Sequence, residues 1–411
     1  MDRIIIINHY GCTPDQPGAT KHYDMAKYFS KKGDYLVEFW MCGYRHYEGK
    51  MDPILKGFRL ETSYMDENLK IVKIKSTPYR NSSLMRQLNH TVFELISACK
   101  ILLSKDIKLI VMNIPPNPIF NTWAANIRHI KLIADVEDLW PLFPQQLGMN
   151  NKLAIRYMDI AANYLYRTSA GIEAVSDGML RFVKSKLTRT DQMIWLAPLG
   201  VDLKSYDQLK KDVSIEEKPW KQDLKIMYLG AHGRANNLES VVRTAKALEG
   251  KLSADGRKIS FILIGDGDRK EALRELVAEI QPDNVYLEDA VPGDLVPAYL
   301  EKAEICLTNL KKVDSFKLVR PNKLFQYMAA SKPILCGIWG EAAEIVRESG
   351  AGIYVDFDEP EYAAKQILEF ISDEERLRKC GRKGRLYIEQ HGDRDKIFEE
   401  FYQRIKQILG T

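Results

Sequence analysis

Twice along this chain, short apolar runs alternate with stretches whose apolar residues recur at helical spacing. A parallel sheet covered by helices demands that pattern. Its strands are buried on both faces, and each crossover to a parallel neighbour needs a helix. The first series opens with four consecutive isoleucines, Ile4 to Ile7. Strands are expected at 3–8, 35–40, 69–74, 109–113, 131–136 and 171–175. Helices are expected at 20–32, 83–104, 155–168 and 177–186. From 201 to 224 the chain turns charged and weakly apolar, with Pro219 near its end, and reads as a linker. A second series follows, with strands at 224–229, 260–264, 285–287, 305–307, 333–336 and 352–355. Helices lie between them and from 360 onward.

The fold class is therefore α/β, with two doubly wound Rossmann-like domains in tandem. The 411 residues exceed what one core holds, about 250–300. The expected division is 1–205 and 206–392. Ligands of such folds bind beyond the carboxyl ends of the strands, so the expected site is a central cleft that the two domains face. No sequence repeat of 20–50 residues is visible.

Composition narrows the function classes. Hydrophobic residues are 45% and charged residues 28%, an ordinary globular balance that excludes disorder and collagen-like chains. Net charge is +4, with +7 in residues 1–200 and −3 in the rest. That is mild for a nucleic-acid binder but suits a surface that meets anionic lipid or phosphate. Six scattered cysteines without a CxxC imply neither disulfides nor zinc, and a reducing compartment. The opening apolar run is too short for a signal peptide. No run approaches the roughly 18 apolar residues of a membrane span, so any membrane contact must be peripheral.

Four segments carry candidate chemistry. The loop from Asn8 to Thr20, with Gly11 and Gly18, joins a buried strand to a helix start, where backbone N–H groups favour an anion. It lacks the GxGxxG spacing, and such a loop serves equally as a plain turn. Asp135, Glu137 and Asp138, followed by Trp140-Pro141, lie at a strand's carboxyl end. There they can bind hydroxyls or move a proton, or merely cap a helix. Gly265-Asp266-Gly267-Asp268 runs from a strand into a helix and is read as a backbone approach to a nucleotide rather than a metal site. Arg320, Pro321 and Lys323 open a helix, with Phe325, Met328 and Ala329 set to pack inward. Two cations at a helix N-terminus suit a diphosphate; a solvated basic face is the alternative.

In family order, these segments resemble glycosyltransferase family 4, of GT-B architecture. They are nearest to bacterial polysaccharide transferases of the amino-sugar (fucosamine-type) group. The matching motifs are Pro17-Gly18-Ala19-Thr20-Lys21-His22, Pro115-Pro116, Glu137-Asp138-Leu139-Trp140-Pro141 and Val175-Ser176-Asp177-Gly178-Met179. Leu199-Gly200-Val201-Asp202, Gly265-Asp266-Gly267 and the run from Pro321 to Pro333 complete the set. Two departures stand out. The family's paired glutamates, eight positions apart, are Leu318 and Gln326 here. Glu137 replaces an arginine.

The resemblance implies retaining transfer of a sugar from a nucleotide diphosphate, UDP first among them. The acceptor would be a glycan or polyprenyl-linked molecule of bacterial surface polysaccharide synthesis. It implies donor contacts at Gly18, Arg234, Gly265, Asp266 and Gly267, and at Leu318, Arg320, Lys323 and Gln326. Catalysis falls to Asp138 and Glu137, and acceptor or membrane contact to Arg80, Arg86 and Trp140. No metal and no cofactor is expected, and no nucleic-acid partner. The expected location is cytoplasmic, peripheral on an anionic membrane surface. The membrane edge is read at Tyr79-Arg80 with Leu84, Met85 and Arg86, and at Leu142-Phe143 with 147–149. The last helix, 393–411, is expected to pack back on the first domain through Ile397, Phe398, Phe401, Ile405 and Leu409. The rivals are a GT-B sugar-nucleotide epimerase and a degenerate, non-catalytic sugar-nucleotide-binding subunit.

Overall fold

A computed structural model describes the chain except residues 17, 47–48, 56–60, 80–82, 115, 117, 190 and 213–217. It divides into two compact units, Met1–Pro198 with Asp395–Thr411, and Leu199–Arg394.

In the first unit the elements run β1 (Arg3–Asn8), α1 (Lys21–Ser30), β2 (Leu36–Cys42), the short hairpin β3 (Tyr44–Arg45) and β4 (Lys50–Met51), β5 (Glu61–Asp66) and β6 (Leu69–Ile74). Next come α2 (Ser83–Leu103), β7 (Ile107–Ile114), α3 (Ile119–Ile127), β8 (Lys131–Val136), α4 (Leu142–Gln146) and α5 (Lys152–Thr168). The series ends with β9 (Gly171–Ala174), α6 (Asp177–Lys186) and β10 (Met193–Leu196). The large sheet has the order β10-β9-β8-β7-β1-β2-β6-β5. Every pairing in it is parallel except β5 with β6. Strand β1 is central, which is why Ile4 to Ile7 are all buried. The direction of winding reverses between β1 and β7, and such a reversal opens a crevice at the strands' carboxyl ends.

The second unit runs α7 (Leu203–Asp212), β11 (Leu224–Leu229), α8 (Leu238–Ala247), β12 (Ile259–Ile264), α9 (Lys270–Ile280), β13 (Val285–Glu288) and α10 (Val296–Lys302). It continues through β14 (Ile305–Asn309), α11 (Asn322–Ala329), β15 (Ile334–Gly337), α12 (Glu341–Ser349), β16 (Gly352–Tyr354), α13 (Pro360–Ile371) and α14 (Glu374–His391). Its sheet, β13-β12-β11-β14-β15-β16, is wholly parallel and reverses between β11 and β14. Separate apolar clusters fill its two faces.

Within the stretch expected to be a linker, the described residues are packed on the second unit. Helix α7 occupies much of that stretch, and Leu203, Tyr206 and Trp220 are buried in the second unit's core. The Arg385 guanidinium donates to both oxygens of Asp207 at 2.9 and 2.7 Å, and Trp220 Nε1 donates to Glu288 at 3.1 Å. A few well-spaced apolar anchors suffice for a short helix with a charged outer face. Elements without a sequence-level expectation include β3 and β4, α4 and β10, and also β5, an exposed antiparallel edge, and α3, whose apolar run follows prolines.

The last helix, α15 (Arg394–Leu409), belongs to the first unit although α14 belongs to the second. Phe398, Phe401, Tyr402 and Ile405 are buried in the cluster that holds Phe29, Val37 and Trp195. The Phe29 ring lies 5.7 Å from Phe401 and 5.3 Å from Tyr402. Polar contacts fix the orientation: Tyr28 donates to Glu399 and Tyr402 to Asp34, each at 2.7 Å. Phe401→Ala is expected to lower stability by about 3–5 kcal/mol through lost burial and a residual cavity. Urea denaturation followed by tryptophan fluorescence checks this, because Trp195 sits 5.3 Å from Phe401.

Candidate functional site

In the first unit, residues from distant parts of the chain converge on one buried cation. Lys21, the first residue of α1, is 2% exposed, yet its ammonium is well satisfied. It donates to both oxygens of Asp135, at 3.0 and 2.9 Å, and to Glu173 at 3.0 Å; Glu137 lies 3.4 Å away. His22 Nε2 meets Asp135 Oδ2 at 2.6 Å, and Asn8 Nδ2 meets His22 Nδ1 at 2.9 Å. Thus the ends of β1 and β8, a β9 acid and the start of α1 are tied together. Burial alone would lower the Lys21 pKa, but Asp135, Glu173 and Glu137 raise it. Burial would raise Asp135, yet Lys21 and His22 hold it below the carboxylate range. Burial, reinforced by Asp135, pushes Glu173 well up. The cluster is a polar knot held by mutually satisfied contacts.

His22, Asp135 and Glu137 are close enough to hold a metal ion. However, Lys21 Nζ already lies against both carboxylates, so a divalent ion would displace a buried ammonium. The residues present fit a cation supplied by the chain itself.

Asp138 follows this knot. Its backbone N–H and that of Glu137 both donate to Ile114 O, at 3.3 and 3.1 Å, which sets the turn after β8 beside the end of β7. Burial and the adjacent Glu137 push the Asp138 pKa up to about 7, so this carboxyl is poised between its two forms near neutrality. Trp140 is partly exposed, and its ring is 6.3 Å from that of His90.

Next to it, His90, Glu94, Trp140 and Tyr157 line a small pocket with Gln87 and Met158. Glu94 is 4% exposed, and its Oε1 has no hydrogen-bond partner among the described residues. Burial raises its pKa to about 8, against the pull of the Phe120 and Asn121 N–H groups. It is a neutral carboxylic acid able to donate as well as accept. Beyond it, the Tyr10 hydroxyl meets His90 Nε2, and His9 Nε2 meets Asn89 Oδ1, each at 2.7 Å. Burial lowers the His9 pKa to about 3, so it is a neutral ring.

In the second unit the glycine-rich turn has a packing role. Gly230 N donates to Ile264 O, His232 N to Asp266 O and Arg269 N to His232 O, at 2.9, 2.8 and 2.9 Å. The loops after β11 and β12 therefore zip together. A Cβ on Gly265 would sit 1.8 Å from Gly230 O, and one on Gly267 would sit 2.5 Å from His232 O. The neighbouring loop alone accounts for both glycines. Asp266 accepts from its own turn, Gly267 N at 2.7 Å, and Asp268 is 3.9 Å from Arg234 Nε. Arg234 is exposed. Buried Lys270 spans the base of the turn, donating to Gly265 O and Glu288 O at 2.7 and 3.0 Å.

Lys323 is the second residue of α11, which begins after Pro321 rather than on it. Its Nζ donates to the Tyr228 hydroxyl at 2.6 Å and stands 4.1 Å from the ring centroid. It also crowds Gly230, where an added Cβ would be 2.9 Å away. Burial lowers its pKa to about 7. An ammonium in this place, beside the reversal of the sheet and the start of a helix, is poorly compensated and favours an anion. His232 adds to the demand: it is 1% exposed, with both ring nitrogens unpartnered among the described residues. Burial, then Lys270 and Lys323, lowers its pKa to about 4. Phe325, Met328 and Ala329 are buried, as the helix pattern requires.

Several candidates lie differently from expectation. Arg320 is committed to Glu341 at 2.7 Å, with both side chains mostly buried. Leu318 ends a 3-10 turn, and both it and Gln326 are partly exposed. Gly18 is exposed. Pro17, Arg80 and Pro115 lie outside the described residues. The expected membrane edge is divided: Tyr79 and Phe143 are buried and Arg86 is partly buried, 5.7 Å from the Tyr79 ring, whereas Leu84 and Met85 are exposed and Leu142, Leu147 and Met149 are partly exposed. Sequence reasoning passed over Glu173, Glu94, His90, Lys270 and His232. For Glu173 a signal existed, since an acid interrupts an otherwise apolar strand. Glu94 left none, since one acid in a long amphipathic helix reads as solvent-facing.

Lys21→Met is expected to cost about 3–5 kcal/mol at neutral pH, because it strands buried carboxylates. In the parent, Asp135 has a depressed pKa, so its contribution is present above its unfolded value and lost as pH falls through the folded one. Without Lys21 burial is less opposed and raises Asp135, so the variant carries a cost at neutral pH that is relieved as the carboxyl protonates on acidification. The gap between variant and parent should therefore narrow at acid pH, which denaturation at pH 7 and pH 4 measures.

Residues 223–373 match the model of the "Glycosyl transferases group 1" family. An uncharacterised glycosyltransferase of Methanocaldococcus jannaschii is 20% identical over 260 residues, 63% of this chain and 64% of the relative's length. Among solved structures, sucrose-phosphate synthase from Thermosynechococcus elongatus superposes with a TM-score of 0.75, at 14% identity over 100% of both chains. Anabaena HepE in complex with UDP-glucose gives 0.69, at 12% identity over 98% of this chain and 99% of that one. The fold is GT-B, and the family-model match lies within the second unit.

Proposed function

We propose that the protein is a glycosyltransferase. It moves a sugar from a nucleoside diphosphate, UDP in the first instance, to a hydroxyl of a glycan or lipid-linked acceptor, with retention, during assembly of a bacterial surface polysaccharide at the cytoplasmic face of the membrane. The observation that carries this reading is Lys323. It is a partly buried lysine whose pKa desolvation lowers to about 7, at a helix start beside the β11–β14 reversal, inside the region that matches group 1 glycosyl transferases. The similar fold of HepE, solved with UDP-glucose, supports a nucleotide-sugar donor.

In this reading the bond from the sugar's anomeric carbon to the diphosphate oxygen breaks, and a bond to the acceptor oxygen forms. Lys323, protonated, takes up the charge developing on the diphosphate, and the free N–H groups of α11 add to it. His232 offers a neutral ring N–H to the same group. Gln326 bonds the ribose. Leu318 gives the donor sugar an apolar neighbour where relatives carry a carboxylate, which favours a sugar with fewer hydroxyls. On the acceptor side, ionised Asp138 receives the proton of the attacking hydroxyl, and neutral Glu94 orients the acceptor against Trp140. The first-unit knot around Lys21 fixes the backbone that presents Asp138. The reading assigns no step to a metal.

Anion binding should load a proton onto Lys323. At pH 8 most of the free protein has this amine neutral, and a bound diphosphate raises its pKa. Calorimetric titration of UDP in two buffers of different ionisation enthalpy is expected to show uptake of up to one proton. Lys323→Met should abolish the uptake and weaken UDP at least roughly tenfold, the scale of one charge-assisted contact. UDP binding with neither effect would refute the assignment. Asp138→Asn is expected to keep UDP affinity and lower turnover by about 10²–10⁴. Binding of UDP without turnover of any UDP-sugar by the parent would instead identify a non-catalytic subunit.

A further inference from the structure

Sixteen large apolar side chains of the described chain are exposed, and ten of them lie on just three helices, α2, α3 and α5. The three are neighbours. Ser97 of α2 donates to Asn121 of α3 at 2.6 Å, and Asn126 of α3 donates to the Tyr164 hydroxyl of α5 at 3.2 Å. On each helix the exposed residues recur at helical spacing. Leu84, Leu88, Leu95 and Leu103 follow one stripe of α2; Trp123 and Ile127 are one turn apart on α3. On α5 the stripe is Leu153, Tyr157 and Ile160. These are not stray residues, since Leu84, Leu103 and Leu153 are 77%, 84% and 81% exposed. A helix layer over a sheet ordinarily turns polar residues outward, so this outer face is inverted.

Charge decides what the face fits. Lys152, Arg156 and Arg167 on α5, and Arg128 at the end of α3, are exposed, against the partly exposed acid Asp159. The other acid of these helices, Glu94, is buried and faces inward. A second copy would bring the same cations against themselves, which opposes a symmetric dimer. A bilayer interface with anionic headgroups satisfies both halves of the pattern: aromatic and aliphatic side chains enter the acyl boundary while arginines meet phosphate.

We infer that the outer face of α2, α3 and α5 is a docking surface for an anionic lipid bilayer. This keeps Leu84 and Met85 of the edge expected from sequence and extends the contact along α2 to α3 and α5, leaving out buried Tyr79 and Phe143. It goes beyond the transferase reading and does not depend on it. Tyr157 both belongs to this face and lines the Glu94 pocket, so the pocket opens at the membrane-facing edge.

The test uses the full chain and sedimentation with vesicles of equal parts phosphatidylglycerol and phosphatidylcholine, or of phosphatidylcholine alone. The protein is expected to sediment with the anionic vesicles at low salt, to be released near about 0.5 M salt, and to ignore the neutral ones. Arg156→Glu with Arg167→Glu should weaken binding roughly tenfold or more, since each cation near anionic lipid contributes at about that scale. Trp123→Gln with Ile160→Gln should also weaken it, with unchanged melting. Because all four residues are exposed or half exposed, the variants are expected to fold. A parent that stays in solution with anionic vesicles at low salt overturns the inference, as do variants that bind like the parent. A dimer by light scattering that the Trp123/Ile160 variant dissolves, without vesicle binding, assigns the face to a second copy and overturns it too. No nucleotide or acceptor enters the assay, so its outcome is separate from that of the transferase reading.

Discussion

The first unit turns on a single buried ammonium. Lys21 holds together Asp135 at the end of β8, Glu173 in β9 and Glu137 in the following turn, and its neighbour His22 ties Asp135 to the end of β1. Taking these charges out of water is costly, and only their mutual contacts make the arrangement tolerable. What the arrangement secures is position. Strand β1 and the much later pair β8 and β9 are held at fixed relative heights, and the turn carrying Asp138 and Trp140 starts from that fixed point. The raised Asp138 pKa then follows from burial and from Glu137, which the same lysine restrains.

The second unit uses a different constraint for a similar purpose. Its loops after β11 and β12 are pressed together until no side chain fits at Gly265 or Gly267, and Lys270 closes the base of the turn. This rigid pair of loops puts Gly230 and His232 next to Lys323. The cation there is only half compensated, by a phenol and its ring. One unit therefore satisfies its buried lysine fully and the other leaves its lysine short of a partner. That contrast separates a structural cation from one that waits for an anion.

Much of the fold was legible in sequence because central parallel strands are apolar on both faces, as Ile4 to Ile7 and Ile262 to Ile264 show. The same logic failed at α7, where Leu203 and Tyr206 are the buried anchors among the described residues of a charged helix, and at β5, an edge with little apolar pattern. Site residues fared less evenly. The Arg320 and Lys323 pair looked alike in sequence, but an acid twenty-one positions away claims Arg320, and no local pattern reveals that. Glycines of the turn were legible as glycines required by close approach, but what approaches is the neighbouring loop. Glu94 and His90 were hidden inside an amphipathic helix, because periodicity reports which face is buried and not what a polar residue on that face does.

The central claim is that the under-compensated Lys323 and its two zipped loops receive a nucleoside diphosphate. A crystal structure of the protein grown with UDP tests it most directly. The account requires phosphate oxygens within hydrogen-bonding distance of Lys323 Nζ and of the α11 N–H groups, with His232 turned toward the same group. Ordered UDP whose diphosphate lies away from Lys323, with the ammonium still on Tyr228, would contradict it.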